Sequence, residues 1–125
     1  SKIIVVLGHT KCGAVKGACD HVEMGNLTEL LSKIQPAVYQ EKDTTDNRTS
    51  KNSEFVENVS EINVKRSVKN IIERSFVLEQ MLEEGQIGIV GAMHDIESGK
   101  VIFYDDVMYI KDDLNPEFTV AALRH

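Results

Sequence analysis

Ile3-Ile4-Val5-Val6-Leu7-Gly8-His9-Thr10-Lys11-Cys12-Gly13-Ala14-Val15 is the stretch on which the fold turns. Ile3 to Leu7 are five consecutive apolar residues, four of them β-branched. Such a run fits a strand buried on both faces, as in a parallel sheet. Gly8 breaks it. From Gly13 the composition becomes small and helical, and Val15, Ala18, Cys19 and Val22 fall on one face at helical spacing. The stretch therefore reads as a strand, a tight turn carrying a His and a Cys three apart, and the start of a helix.

Outward from there, Gly25-Asn26 predicts the end of that helix, and Asn26 or Thr28 caps the next. Leu27, Leu30, Leu31, Ile34 and Val38 form an i, i+3, i+4, i+7 stripe, which Pro36 kinks or interrupts. Residues 41–54 are polar throughout and read as an exposed loop. Helical spacing returns at Phe55, Val56, Val59 and Ile62 and runs to Gly85, as one long bent helix or two in series. Ile87 to Met93 is a second core strand, Ser98-Gly99 a turn, and Val101 to Tyr104 a third strand, which makes a hairpin. Asn115-Pro116-Glu117 predicts a short terminal helix with Phe118, Ala121, Ala122 and Leu123 on its apolar face. The fold class is α/β: a mainly parallel β-sheet flanked by helices, with an antiparallel edge hairpin. Three strands are few for such a sheet, and a partner subunit or a preceding segment is expected to add more.

At 125 residues and 42% hydrophobic, the chain fits one domain, residues 1–125, with a real core. It opens on Ser1-Lys2 and enters a strand at once, which reads as an N-terminally truncated domain. A net charge of −6 argues against a nucleic-acid partner. No apolar run approaches the ~18 residues of a membrane span. Two cysteines, Cys12 and Cys19, make no disulfide framework. A reducing, cytoplasmic setting is the expectation.

His9-x-x-Cys12 sits at the C-terminal end of a strand, where α/β sheets place their ligands. An imidazole and a thiolate three apart on a turn can face one Zn²⁺, which prefers these donors. The following helix brings backbone N–H groups and a positive dipole end near Cys12. On spacing alone, a buried and inert cysteine is the competing reading. Catalytic zinc takes three protein donors and a water, and Cys19, His21 and His94 are candidates for the third. Cys19 lies about 10 Å further along a helix axis rising roughly 1.5 Å per residue, too far to share the metal. Gly8 and Gly13 have phosphate-loop spacing, but Ala14 and Val15 stand where Lys and Ser/Thr are required. His94-Asp95 is either a catalytic pair or the opening of a hairpin turn. Asp105-Asp106 and Asp112-Asp113 read as solvated loop charges without EF-hand spacing.

Gly8-His9-Thr10-Lys11-Cys12-Gly13-Ala14 closely resembles the second zinc-ligand motif of the β-class carbonic anhydrases. Asn63-Val64-Lys65-Arg66-Ser67-Val68-Lys69-Asn70 resembles the helix signature that follows it. Gln86 to Ala92 and Asp95 to Val101 resemble the late strand and hairpin. The three matches run in the family's order from Ile3 to about Tyr104, with His94 where Tyr is common. The resemblance implies Zn²⁺ bound by His9 and Cys12, reversible hydration of CO₂ to bicarbonate and a proton, and a homodimer or higher homo-oligomer. The family also carries an earlier Cys-x-Asp-x-Arg motif, whose Cys is a zinc ligand and whose Asp–Arg pair controls access to the metal. That motif does not occur in this sequence. The expectation is therefore an enzyme whose isolated 125-residue chain is impaired. The alternative is a non-catalytic binding or assembly domain with an incomplete metal site.

Overall fold

The computed structural model describes residues 2–23 and 25–110. The predicted terminal helix and the Asp112-Asp113 pair lie outside them. Three strands form one sheet in the order β1-β2-β3: β1 (Lys2–His9), β2 (Ile87–His94) and β3 (Val101–Tyr109). β1 runs parallel to β2 with Lys2 opposite Ile87 and His9 opposite His94. β2 pairs antiparallel with β3. The α/β class and the antiparallel edge hairpin are as the sequence predicts. β3, however, runs to Tyr109, beyond the predicted end at Tyr104. A register shift opposite Val90/Gly91 accommodates the extra residues. Asp105 and Asp106 are thus strand residues and not loop charges, and the Asp106 carboxylate accepts from Lys65 Nζ at 2.8 Å.

Between β1 and β2 lie five helices: α1 (Gly13–Cys19), α2 (Asn26–Ser32), α3 (Gln35–Gln40), α4 (Ser53–Arg74) and α5 (Phe76–Glu83). α1 stops at Cys19, well before Gly25. His21 takes a left-handed φ of 53°. The Val22 and His21 amides close on the Gly17 and Ala18 carbonyls, a Schellman end with histidine in the place glycine usually fills. α2 begins at Asn26 with Gly25, φ 46°, in the cap position, so neither Asn26 nor Thr28 caps it. α3 opens with Pro36 in its first turn, where a missing N–H costs nothing. Of the two readings of residues 55–85, two helices in series is correct. Ser75 ends α4 in extended conformation, and its side chain caps α5 by accepting from the Leu78 amide at 3.2 Å.

α4 is the element on which the rest packs. Val64 and Val68 approach the sheet so closely that a Cβ on Gly8 would lie 2.7 Å from Val64 Cγ2, and one on Gly91 3.0 Å from Val64 Cγ1. Val68, Ile87, Ile89 and Val107 form the buried centre beneath α4 and α5, with Ile4, Val6 and Tyr104 at its margin. A second cluster joins α1, α3 and the first turns of α4: Val15, Ala18, Cys19, Ile34, Ala37, Val38, Phe55, Val56 and Val59. Side chains alternate along a strand. Since Gly8 and Gly91 face α4, Val5, Leu7 and His9 face the other way, and Val5 and Leu7 are 44% and 54% exposed.

The 41–54 segment departs from the predicted exposed loop. Glu41 is 2% exposed. Its carboxylate accepts from the Thr44 amide and hydroxyl, from Asn58 Nδ2 at 3.1 Å and from Arg48 at 3.3 Å. Arg48 also donates to the Val38 and Thr44 carbonyls and stacks 4.5 Å over the Phe55 ring. Burial by itself would raise the Glu41 pKa, but these donors outweigh it and bring the carboxyl down to about 2. Asp20 accepts from the Ser50 amide and hydroxyl, tying the same segment to the end of α1.

Candidate metal centre

β1 delivers His9 as its last residue, and α1 begins one residue after Cys12. Between them the chain must reverse in two residues. Lys11 does this with a left-handed φ of 56°, which costs a non-glycine residue on the order of 1–2 kcal/mol. Cys12 occupies the cap position of α1 in extended conformation (φ −67°, ψ 123°), and its carbonyl accepts the first helical bond, from Lys16 N at 3.0 Å. Cys12 is half-buried against the α1–α3–α4 cluster. A Cβ on Gly13 would meet nothing within 4 Å, so the backbone beside the thiol is open.

His9 Nδ1 lies 2.9 Å from the Thr10 carbonyl oxygen. A carbonyl only accepts, so this bond exists with the proton on Nδ1, which leaves the Nε2 lone pair free to act as a donor to metal. A borderline nitrogen donor and a free thiol on one short turn fit Zn²⁺. They do not complete a site: among the described residues no three His, Cys, Asp or Glu side chains gather closely enough to hold a metal ion.

The three candidate third donors fare differently. Cys19 is buried at 1% exposure, and desolvation, with the nearby Asp20 charge, pushes its thiol up to about 11. It is a core residue and carries no thiolate at neutral pH. His21 belongs to the helix-ending turn and packs against Tyr39, ring centroids 6.3 Å apart. His94 is the register partner of His9, on the same sheet face, so the fold brings these two to one row. Asp95 is committed to the hairpin. Its carboxylate accepts from the Glu97 amide at 3.0 Å, and that bond first, then Ser98, holds it below the usual carboxylate range. It opens a turn and is not a free base.

Sequence reasoning missed what holds the turn in place. The Thr10 amide donates to the His94 carbonyl at 3.0 Å, and the Thr10 hydroxyl oxygen accepts from the Ile96 amide at 3.1 Å. The Lys11 ammonium pairs with the Glu97 carboxylate. A hydroxyl directly after the last strand residue was the only local signal.

The carbonic anhydrase family model matches residues 1–101. Carbonic anhydrase 2 of Mycobacterium tuberculosis is 24% identical over 117 residues, covering 90% of this chain and 53% of that protein. A tetrameric β-carbonic anhydrase of Sordaria macrospora superposes with a TM-score of 0.68 at 23% identity, covering 81% of this chain and 51% of that one. The β-carbonic anhydrase CafA of Aspergillus fumigatus gives 0.65 at 27% identity, over 98% and 54%. The chain thus spans about half the length of these relatives. A family match over residues 1–101, four-fifths of the sequence, running from β1 through the His9–Cys12 turn and α4 to the end of β2 and the turn after it, places this chain in the β-carbonic anhydrase family.

Proposed function

We propose that this chain is the zinc-turn portion of an enzyme that reversibly hydrates CO₂ to bicarbonate and a proton, with His9 and Cys12 as two of the metal's protein donors. The observation that carries this reading is the His9–Cys12 turn itself, lying in the segment matched by the family and offering a free Nε2 and a free thiol. When bound, zinc supplies the Lewis acidity that brings deprotonation of water into the neutral range. The chain's own residues do the holding. The Thr10 carbonyl fixes the His9 tautomer. The α1 cap fixes the Cys12 backbone, and Gly13 leaves room for a small substrate beside it.

Two donors fall short of the three a catalytic zinc needs. The isolated 125-residue chain is therefore expected to hydrate CO₂ weakly or not at all, the third donor coming from outside the described residues. A homodimer or higher homo-oligomer is consistent with the tetrameric Sordaria macrospora relatives and with Val5 and Leu7 left exposed on the sheet face that carries His9. Two free thiols fit a reducing, cytoplasmic setting. No helix among the described residues is long and apolar enough to cross a membrane.

The incomplete donor set favours a second reading, a carbonic-anhydrase-like binding or assembly domain that no longer catalyses. Zinc stoichiometry of the wild-type chain and of Cys12→Ser tests the metal half of the proposal. Metal retained by the wild type and lost by the variant supports it, and no zinc in either sinks it. Rapid CO₂ hydration by the pure chain would refute the expected impairment.

A further inference from the structure

Beyond the sheet's own ladder, the β2–β3 hairpin reaches across to the metal turn through the Thr10 hydroxyl and Lys11. The Thr10 amide donates to the His94 carbonyl at 3.0 Å, the ladder bond that closes the His9–His94 pair. The Thr10 hydroxyl oxygen then takes the Ile96 amide at 3.1 Å, a bond spanning 86 positions of sequence. Beside it Lys11 and Glu97 form an ion pair across the same gap. The hairpin side is itself locked: the Asp95 amide donates to the Lys100 carbonyl and the Gly99 amide to the Asp95 carbonyl, both at 2.8 Å. The residues clamped, Thr10 and Lys11, are the two between His9 and Cys12. One of them carries the left-handed backbone that sets how the two donors face each other.

We infer that Thr10 is a positioning residue for the metal. Its hydroxyl ties the His9–Cys12 turn to the hairpin and so holds in place the backbone that would present the imidazole and thiol to the ion. The Lys11–Glu97 pair is an exposed auxiliary to it, and exposed pairs contribute little. This rests on the zinc reading above. Partners of this kind behind metal donors change affinity by roughly 10–100-fold when removed.

Co²⁺ serves as the probe, because its visible spectrum reports both the thiolate bond and the coordination geometry. Thr10→Val keeps the shape and removes the acceptor, and Thr10→Ser keeps the acceptor. The wild-type chain and Thr10→Ser should bind Co²⁺ alike, with a charge-transfer band that Cys12→Ser abolishes. Thr10→Val should bind about ten-fold more weakly or worse, with an altered d–d envelope, and its Ile96 amide should lose hydrogen-exchange protection. A purely structural role would lower the melting temperature of Thr10→Val and leave the spectrum unchanged. Thr10→Val matching the wild type in affinity and spectrum overturns the positioning role while leaving the zinc reading intact. A wild-type chain that binds no Co²⁺ overturns both. If Thr10→Val does not fold, Thr10→Ala takes its place in the same comparison. Thr10→Ser failing to restore binding also counts against the hydroxyl.

Discussion

Replacing Glu41 by glutamine should remove a defined part of the acid sensitivity of this fold. The Glu41 carboxyl titrates at about 2 when folded, against an ordinary 4.5. Its folded pKa is depressed, so the stabilisation is fully present above pH ~4.5 and lost as pH falls through ~2. At ~1.36 kcal/mol per pH unit the difference amounts to about 3 kcal/mol at pH 7, and about 1.4 kcal/mol remains at pH 3. The Glu41 carboxylate is itself shielded from solvent, at 2% exposure. The introduced carboxamide would turn an N–H₂ toward Thr44, Asn58 and Arg48, all of which donate, and so would break part of the network. Urea unfolding of wild type and Glu41→Gln from pH 7 to pH 3 reads the gap directly. It should be near 3 kcal/mol at neutral pH and shrink by about half at pH 3. A gap that stays constant across that range refutes the reasoning, because Glu41 would then not be the ionised centre of the loop.

Gly91→Ala should destabilise by about 1–3 kcal/mol, since its Cβ would sit 2.9 Å from Val107 Cγ2 and 3.0 Å from Val64 Cγ1 in a packed core. Thermal melting checks it, and an unchanged melting temperature would mean that α4 can ride away from the sheet. In the folded chain iodoacetamide should modify Cys12 and spare Cys19, which is buried with a thiol pKa of about 11. Peptide mass spectrometry before and after denaturation distinguishes one labelled cysteine from two, and Zn²⁺ should slow the labelling of Cys12.

What the sequence showed of this fold followed from contacts that are local or periodic. The apolar run Ile3–Leu7 announced β1, and Ser98-Gly99 the hairpin, because each is decided within a few residues, although β1 carries on through Gly8, the predicted break, to His9. α1 stopped early for a reason no period shows: histidine took the left-handed position at residue 21. The polar 41–54 segment read as solvated because its composition is that of a loop. What buries Glu41 is Asn58, 17 positions on, and Arg48 lying over Phe55. The acidic pair Asp105-Asp106 likewise looked like loop charge until the β3 irregularity and Lys65 gave it a place. His9 and Cys12 were legible as a motif, whereas the Thr10–Ile96 bond that steadies them joins residues 86 apart.

The strand alternation also bears on how the proposed metal centre would be completed. On β1, Gly8 is driven against Val64 and Met93 at distances that admit no side chain, so the α4 side of the sheet is closed at that row. His9, next along the strand, projects to the opposite face. It lies there beside His94 and beyond Leu7, which is 54% exposed. A donor that reaches His9 from its own side of the sheet therefore comes by way of the Val5–Leu7 face. This is also the face with apolar surface left to cover, and sheets of this kind are stable when both faces are covered. Packing that covers Val5 and Leu7 and a donor that would complete the proposed zinc site from the His9 side thus meet on the same side of the sheet. A segment or subunit that satisfies one is placed to satisfy the other.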